Sequence, residues 1–425
     1  MNFNRNMFAL LVAGVSAVTA WADGGRIPIA AHQLPYVITN SGSYVVTDHL
    51  VGTSGVSAIV VGADFVTLDL NGYSVTGPID AITQSPGRHG LTIKNGTLRA
   101  PNGGIGLLAT GHLTRVTGVR IMDYGTAGVR LGKGALVRDV YIGANALTNL
   151  SSVIGVDARE GLLARNVTVT GLRAAGGTSS GVNAGAGSVI RDTRVHGNQV
   201  FGSFIGTRGG RGSVLHGVTA GANPAGSIST GLWVDDVGVI AGGQVGPSPA
   251  SGSSRAVFAG SYSVLADMNL GGTSVGALLV SNSVVVRSSF NHPGGSAITA
   301  DSGNVIRENT IRGGNITVER ANLVAGNMFR DAPVNFFADN YVLDNHFTGV
   351  TTPLRAGGGF NRIDRNTSAI GAAMVDAGGE RNLVVRNRGP GLTVLNGGND
   401  QVAATLNGSA SMTAQQPWAN INTAP

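Results

Sequence analysis

The chain has no cysteine, few aromatic residues and little charge, and each absence excludes a class of protein. Without cysteine there is neither a disulfide scaffold nor a thiolate metal site. Aromatic residues make up 5% and charged residues 12% of the 425 residues. Lysine occurs only at Lys94 and Lys133, and the absence of any basic run excludes a nucleic-acid-binding tract. Stability must therefore come from packing and hydrogen bonding.

What the chain has in abundance is glycine and a short repeat. Its 67 glycines separate short runs of Val, Ile and Leu, which is typical of strands joined by tight turns. The repeat is two aliphatic residues, two variable residues and a small polar residue, and its copies lie about 20 residues apart. The copies are residues 162–166, 189–193, 305–309, 323–327, 342–345, 362–366 and 383–387.

This repeat predicts a solenoid, in which each coil buries its inner face against its neighbours. Each unit has three short strands separated by turns. The leucine lattice of leucine-rich repeats and the 3.6-residue period of helical repeats are both absent from the sequence. We therefore expect an all-β fold, a right-handed parallel β-helix solenoid of about 16 coils with an N-terminal cap.

Four regions are expected along the chain. Residues 1–22 predict a signal peptide, because Arg5 precedes an apolar run and Ala20-Trp21-Ala22 fits a cleavage site. Cleavage after Ala22 predicts a secreted or periplasmic protein. Residues 23–56 are predicted as the N-terminal cap, 57–408 as the β-helix and 409–425 as a C-terminal tail that covers the last coil. No other segment is apolar and long enough to span a bilayer.

The recurrent asparagines are predicted to be structural. Asn and Asp tolerate the left-handed backbone conformation at a bend, and side chains stacked in successive coils can bond to one another. The asparagines expected in this ladder are Asn166, Asn309, Asn327, Asn345, Asn366 and Asn387.

Binding chemistry is expected on the outward side of the strand that follows a glycine in each unit. Strand alternation points Val156, Val182, Leu232, Val257, Ile298 and Ile316 inward. Their neighbours then form an outward stripe of Asp157, Asn183, Trp233, Phe258, Thr299 and Thr317, and a second polar column of Asp235, Asp301 and Glu319 is expected beside it. Sugars suit such a surface because they stack on aromatic rings and bond to carboxylates. The predicted substrate-binding residues are Asp157, Asn183, Trp233, Phe258, Asp301 and Glu319.

Asp235 and Asp236 are the predicted catalytic residues. Paired carboxylates can act as acid and base in glycoside hydrolysis or hold Ca²⁺ against a uronate. Ca²⁺ is therefore the candidate cofactor. Residues 206–212 and 246–254 are expected to form longer loops that wall a groove there. The alternative is that the two aspartates cap a turn and that Trp233 is covered by a loop.

The coil pattern, the asparagine column and the segment Val66-Thr67-Leu68-Asp69-Leu70-Asn71-Gly72 resemble the pectate-lyase-like superfamily of secreted bacterial parallel β-helix proteins. Its characterised members include pectate lyases, polygalacturonases and alginate-modifying enzymes. Polygalacturonases carry Asn-Thr-Asp, Asp-Asp, Gly-His-Gly and Arg-Ile-Lys in that order, and only Asp235-Asp236 matches here. The resemblance implies the fold and a polysaccharide ligand.

Two functions are therefore expected. The first is a secreted, monomeric β-helix that binds an acidic polysaccharide along the stripe and, if an enzyme, acts as a lyase or glycoside hydrolase on a uronate-containing glycan. The second is a non-catalytic structural or adhesive surface protein.

Overall fold

The computed structural model shows an all-β parallel solenoid with almost no helix, which confirms the predicted fold class. It describes residues 25–53, 55–221, 225–246, 253–272, 274–292, 295–350, 353–369, 375–377, 381–389, 394–396, 401–402, 405–407 and 420–422. The predicted signal peptide and most of the predicted C-terminal tail lie outside these residues. Within them, no helix is long and apolar enough to cross a membrane.

Each coil contributes strands to three parallel ladders, named here first, second and third in chain order. The first ladder contains Tyr36–Ile38, Ile59–Val61, Ile82–Gln84, Ile105–Ala109, Ala127–Leu131, Ile154–Ala158, Thr178–Ala184, Ser203–Gly209, Ser229–Val234, Ser254–Ala259, Val275–Leu279, Ser296–Ser302, Asn315–Arg320, Val334–Ala338, Leu354–Ala356, Val375–Ala377 and Val394–Asn396.

The second ladder contains Ile27–Ile29, Gly42–Val46, Val66–Asp69, Val189–Arg191, Val214–His216, Val239–Ala241, Val264–Ala266, Val284–Val286, Val305–Arg307, Leu323–Ala325, Tyr341–Leu343, Arg362–Asp364, Leu383–Val385 and Gln401–Val402. The third contains Leu50–Val51, Ser74–Thr76, Arg194–His196, Thr219–Gly221, Gln244–Val245, Asn269–Gly271, Ser289–Asn291, Thr310–Arg312, Met328–Arg330, His346–Thr348, Thr367–Ser368, Arg388–Gly389, Thr405–Asn407 and Asn420–Asn422.

Four longer strands run through the second and third ladders together: Thr92–Arg99, Arg115–Met122, Leu136–Ile142 and Leu163–Thr170. Arg173–Ala174 and Gln199–Val200 form a separate two-stranded sheet, and Ala31–Gln33 is a single 3-10 turn. Within the predicted cap, strands between residues 27 and 51 already pair with the first coils, because Tyr36–Ile38 pairs with Ile59–Val61 and Gly42–Val46 with Val66–Asp69.

The coils differ in length, which a uniform period does not predict. Val129 pairs with Val156, and Val156 with Val182, so coils there take 26 or 27 residues. In the C-terminal half, Ile298 pairs with Ile316 and Ile316 with Val334, so two coils take 18 residues, whereas Val334 pairs with Leu354 in a coil of 20. The first ladder has 17 strands among the described residues, so the number of coils differs only slightly from the 16 predicted.

The extra residues of the long coils lie at one corner, between the third and first ladders. They occupy residues 143–153, 171–177 and 197–202. The prediction of a loop at residues 206–212 was wrong, because Ser203–Gly209 is a first-ladder strand in register with Ser229–Val234. Of the second predicted loop, 246–254, residues 247–252 lie outside the described part of the chain.

The core is a stack of aliphatic side chains inside the coils. The predicted inward residues are all buried with no exposed surface: Val156, Val182, Leu232, Val257, Ile298 and Ile316. Next to these inward residues, the backbone of the first-ladder strands closely approaches the third ladder. A β-carbon at Gly181 would lie 2.4 Å from Val195 Cγ1, and one at Gly231 would lie 2.6 Å from Val245 Cγ1. Glycine is therefore required where the coil bends into the first ladder.

Two columns of buried asparagines run along the inside of the C-terminal coils. One column is Asn304, Asn322, Asn340, Asn361 and Asn382, and the other is Asn309, Asn327, Asn345, Asn366 and Asn387. At each step, Oδ1 of the next asparagine accepts both the backbone N–H and the Nδ2–H of the previous one, as from Asn327 to Asn345 at 3.0 Å. The second column is the predicted ladder, and the first was not predicted.

The left-handed bends do not coincide with these asparagines. They lie one residue earlier, at Glu308 (φ 57°), Gly326 (φ 63°), Asp344 (φ 56°), Arg365 (φ 55°) and Arg386 (φ 55°). The bend turns its own side chain outward and the following asparagine inward. Asn166 is the exception. It has φ 53°, lies on the surface and donates to Asp139 at 2.8 Å.

A buried carboxylate on the second ladder is surrounded by three arginines. Asp364 accepts hydrogen bonds from Arg362 (2.9 Å), Arg365 (3.3 Å) and Arg386. Burial by itself raises the pKa of the Asp364 carboxyl, but the hydrogen bonds from Arg386 and Arg362 and the arginine charges outweigh it. The pKa therefore lies below its ordinary value.

We predict that Asn345→Ala destabilises the protein by about 3 kcal/mol or more, because the N–H and Nδ2 donors of Asn327 both lose their buried acceptor. Denaturant unfolding measures the loss. The control is Asn269→Ala, an exposed third-ladder asparagine, which should change stability by less than about 0.5 kcal/mol. Equal effects of the two substitutions would contradict a stabilising role for the ladder.

We also predict that Asp364 stabilises the fold only while it is ionised. A carboxyl whose pKa is lowered by folding adds stability above its unfolded pKa, about 3.9, and loses it as the pH falls through the folded value. The difference in denaturation midpoint between wild type and Asp364→Asn should therefore be largest at neutral pH and shrink below about pH 4. A difference that is constant from pH 7 to pH 3 would contradict this.

Candidate functional site

One outward side chain from each of eleven successive first-ladder strands falls in a single row along the rod. Strand pairing places these residues side by side in the order Arg130, Asp157, Asn183, Arg208, Trp233, Phe258, Leu278, Thr299, Thr317, Asn335 and Arg355. We call this the outer row. At a strand spacing of about 4.8 Å it extends roughly 50 Å. It contains four of the predicted substrate-binding residues, Asp157, Asn183, Trp233 and Phe258.

Sequence reasoning missed five members of the outer row, of which Arg130 and Arg208 matter most for charge. Arg208 was assigned to a loop because glycines surround it. The signal that could have found it is the repeated position of a glycine: Gly181, Gly206 and Gly231 each precede an outer-row residue by two positions.

Trp233 is half-buried, and both faces of its indole ring are covered. The Phe258 ring stacks on one side with centroids 4.1 Å apart and planes at 26°. The Arg208 guanidinium carbon lies over the ring at 5.5 Å from its centroid. The ring is therefore part of a stack along the rod and presents its edge to solvent. A sugar ring cannot stack on it without displacing a neighbour.

Asp235 completes this cluster. Trp233 Nε1–H donates to Asp235 Oδ1 at 2.8 Å, and Arg208 donates to the same carboxylate at 3.3 Å. Asp236 points elsewhere, because its carboxylate accepts the backbone N–H of Ser261 in the next coil at 2.8 Å. The two predicted catalytic aspartates therefore have separate partners, and Asp236 makes the turn-capping contact that was the alternative reading of the sequence.

Asp301 and Glu319 are exposed and lie beside each other in a second column next to the outer row, because Ala300 pairs with Val318 and Ser302 with Arg320. Asp235 belongs to the same column but is three rungs away, roughly 14 Å. Gly260 and Val280 occupy the positions between them. The structure therefore does not bring Asp301 and Glu319 together with Asp235.

A second polar cluster lies at the N-terminal end of the outer row. Arg130 Nε donates to Asp157 Oδ2 at 3.1 Å, and Asn183 Nδ2 donates to Asp157 Oδ1 at 3.0 Å. Beside this cluster is a cleft of about 260 Å³, lined by Thr110, Arg130, Leu131, Asp157, Ala158 and Arg159. The cleft has one carboxylate and two guanidinium groups.

Arg159 is the accessible cation of this cleft. It is exposed and forms no ion pair with any residue that the structure describes. Its chain neighbour Glu160 bonds instead to Lys133, at 2.8 Å. Arg159 was not predicted, although it follows Asp157 by two residues, the same offset that places Asp235 after Trp233 and Asp301 after Thr299.

Calcium has no obvious ligand set in the described part of the chain. No group of three or more His, Asp or Glu side chains comes together there. Asp235, Asp157 and Asp364 are each bonded to arginine.

No protein-family model matches the chain, and a search of curated proteins finds no match. Several solved structures are similar. The A-module of the mannuronan C-5 epimerase AlgE4 from Azotobacter vinelandii is 13% identical with a TM-score of 0.25, over 91% of this chain and 93% of that one. DFA-IIIase from Arthrobacter chlorophenolicus A6 is 11% identical with a TM-score of 0.21, over 90% and 88%.

The catalytic domain of Agl-KA is 10% identical with a TM-score of 0.29, over 78% of this chain, which spans 61% of that domain. The fold of this chain is established by the pairing of its own strands.

We predict that Asp235→Ala shifts the fluorescence emission of Trp233 and lowers stability by about 1 kcal/mol, because the indole N–H and Arg208 lose their shared acceptor. Asp236→Ala is the matched control and should leave the emission unchanged, since the Asp236 carboxylate bonds to the Ser261 N–H in the next coil whereas Trp233 bonds to Asp235. If Asp236→Ala alters the emission as much as Asp235→Ala does, the described cluster is wrong.

Proposed function

We propose that the protein is a monomeric glycan-binding β-helix that holds an acidic polysaccharide along the outer row and its cleft. The observation that carries the proposal is Arg159, an exposed guanidinium without an ion-pair partner among the described residues, in a cleft beside Arg130. A guanidinium binds a carboxylate through two parallel hydrogen bonds, so a uronate is the ligand that this cleft would favour.

The charge of the outer row supports an acidic ligand. Arg130 and Arg208 are already paired, with Asp157 and Asp235. Arg159 and the half-buried Arg255 have no ion-pair partner in the part of the chain that the structure describes. Each therefore adds a positive charge to the first-ladder face that favours a polyanion, whereas the exposed Asp301 and Glu319 add negative charge farther along the same face.

The geometry supports binding better than cleavage. Asp235 bonds to Trp233 and Arg208, and Asp236 to a backbone N–H, so the two carboxylates do not form the facing pair that glycoside hydrolysis uses. A chain of sugars lying along the row would instead exchange hydrogen bonds with Asn183, Arg208 and Asp157. The proposal also places the protein outside the cytoplasm, which rests on the predicted signal peptide.

We predict that Arg159→Gln weakens binding of an oligogalacturonate by about five- to tenfold, because one charge-assisted contact is lost. Calorimetric titration measures the change. Arg191→Gln removes the same charge from the second ladder and should leave the affinity within about twofold.

The methyl ester of the same oligosaccharide, which has no charge, should show no dependence on Arg159. If wild type binds the acid and the ester equally, with or without added salt, the proposal of an acidic ligand fails. Release of unsaturated uronate or new reducing ends from the acid, abolished in Asp235→Ala, would replace the binding proposal with an enzyme.

A further inference from the structure

The corner between the third and first ladders forms a small platform of its own. Gln199 N–H donates to Leu172 O at 2.7 Å, Phe201 N–H to Ala174 O at 3.0 Å and Gly226 N–H to Val200 O at 2.9 Å. Arg173–Ala174 pairs with Gln199–Val200, and Val200 bridges to Ala225 in the next coil. Three successive coils are thereby tied together where their extra residues lie.

Phe201 projects from this platform with 75% of its surface exposed. A cleft of about 300 Å³ borders it on the side of the next coil, lined by Gln199, Val200, Phe201, Ala225 and Gly226. A cleft of about 280 Å³ borders it on the side of the preceding coil, lined by Thr148, Arg173, Ala174, Gln199 and Phe201. Both clefts share Phe201 and Gln199.

Phe201 differs from Trp233 in the exposure of its ring, which a stacking sugar needs. Trp233 is covered by Phe258 and Arg208. Among the described residues, no aromatic ring or cation lies against Phe201. Phe201 is also the most exposed of the large hydrophobic side chains in the described residues, and unlike Phe65 it borders two clefts.

We propose that Phe201 is the stacking residue of a second carbohydrate subsite, which binds a sugar ring against the phenyl face with Gln199 and Arg173 as hydrogen-bonding partners. The class of ligand rests on the proposed glycan-binding function. Gln199 supplies a donor and an acceptor for hydroxyl groups, and the Arg173 guanidinium supplies further donors. The apolar floor of Val200, Ala174 and Ala225 suits the C–H face of the sugar.

The size of the clefts favours a sugar over a folded partner. Each cleft has the volume of a small-ligand pocket, whereas a stable protein interface buries upwards of roughly 1,000 Å². A single exposed phenylalanine with two polar neighbours falls far short of such an interface.

The test compares Phe201→Ala with Phe65→Ala, which removes a ring that is 70% exposed but borders neither cleft. The probes are the oligogalacturonate and its methyl ester. Phe201→Ala should weaken both by about three- to tenfold, because stacking does not need the charge, and Phe65→Ala should weaken neither. Wild-type affinity of Phe201→Ala for both probes would overturn the proposal.

The two proposals can fail separately. Loss of binding in Phe201→Ala together with no effect of Arg159→Gln supports this subsite and refutes the acidic cleft. If Arg159→Gln weakens binding of the acid alone and Phe201→Ala binds both probes like wild type, the acidic cleft is supported and this subsite is refuted. No binding of either probe to wild type overturns both.

A fluorescence measurement locates the sugar directly. In Phe201→Trp the new indole should change its emission when the methyl ester saturates the protein, and Phe65→Trp should not respond. Binding of the ester without any response in Phe201→Trp would place the sugar elsewhere and refute the subsite. Far-UV circular dichroism of each variant shows that the fold is retained.

Discussion

The structure depends on hydrogen bonding between identical positions of successive coils. Parallel strands satisfy most of the backbone, but the bends between ladders leave N–H groups buried without a strand partner. Inward asparagines meet this need, because one Oδ1 accepts two donors from the previous coil while Nδ2 donates onward and to a carbonyl oxygen, as Asn345 does with Asn366 and Val324. In earlier coils the same position is filled by serine, as in Ser263 and Ser283. A chain without disulfides is held in register by these columns.

Fixed register has a consequence for the surface. Once each coil is locked over the last, every outward position becomes a straight row, and residues 18 to 27 positions apart become neighbours. The outer row of the first ladder combines arginines, carboxylates and an aromatic stack in this way. Many of these polar groups bond to one another on the same face. Asp235, for example, accepts hydrogen bonds from Arg208 and Trp233. The groups that we propose for the ligand lie beside the outer row: Arg159 in the adjoining cleft and Phe201 at the corner.

The fold could be predicted from the sequence because the repeat encodes it directly. Inward residues such as Val156 and Ile316 follow from strand alternation, and the asparagine column from its spacing. Coil length could not be predicted, since the extra residues at the corner carry no repeat of their own. The site was predicted only in part. The position of Trp233 in an outward row follows from the pattern. Its covering by Phe258 and Arg208 depends on which residues are adjacent across coils, and the predicted loop at 206–212 hides the neighbour Arg208.

We propose that a ligand binds on the first-ladder face and its adjoining corner. A crystal structure of the protein with a bound oligogalacturonate would decide this. We expect sugar density along the outer row, with a uronate carboxylate on Arg159 and a sugar ring against Phe201. Density confined to the second or third ladder, with Arg159 and Phe201 still exposed to solvent, would refute the proposal.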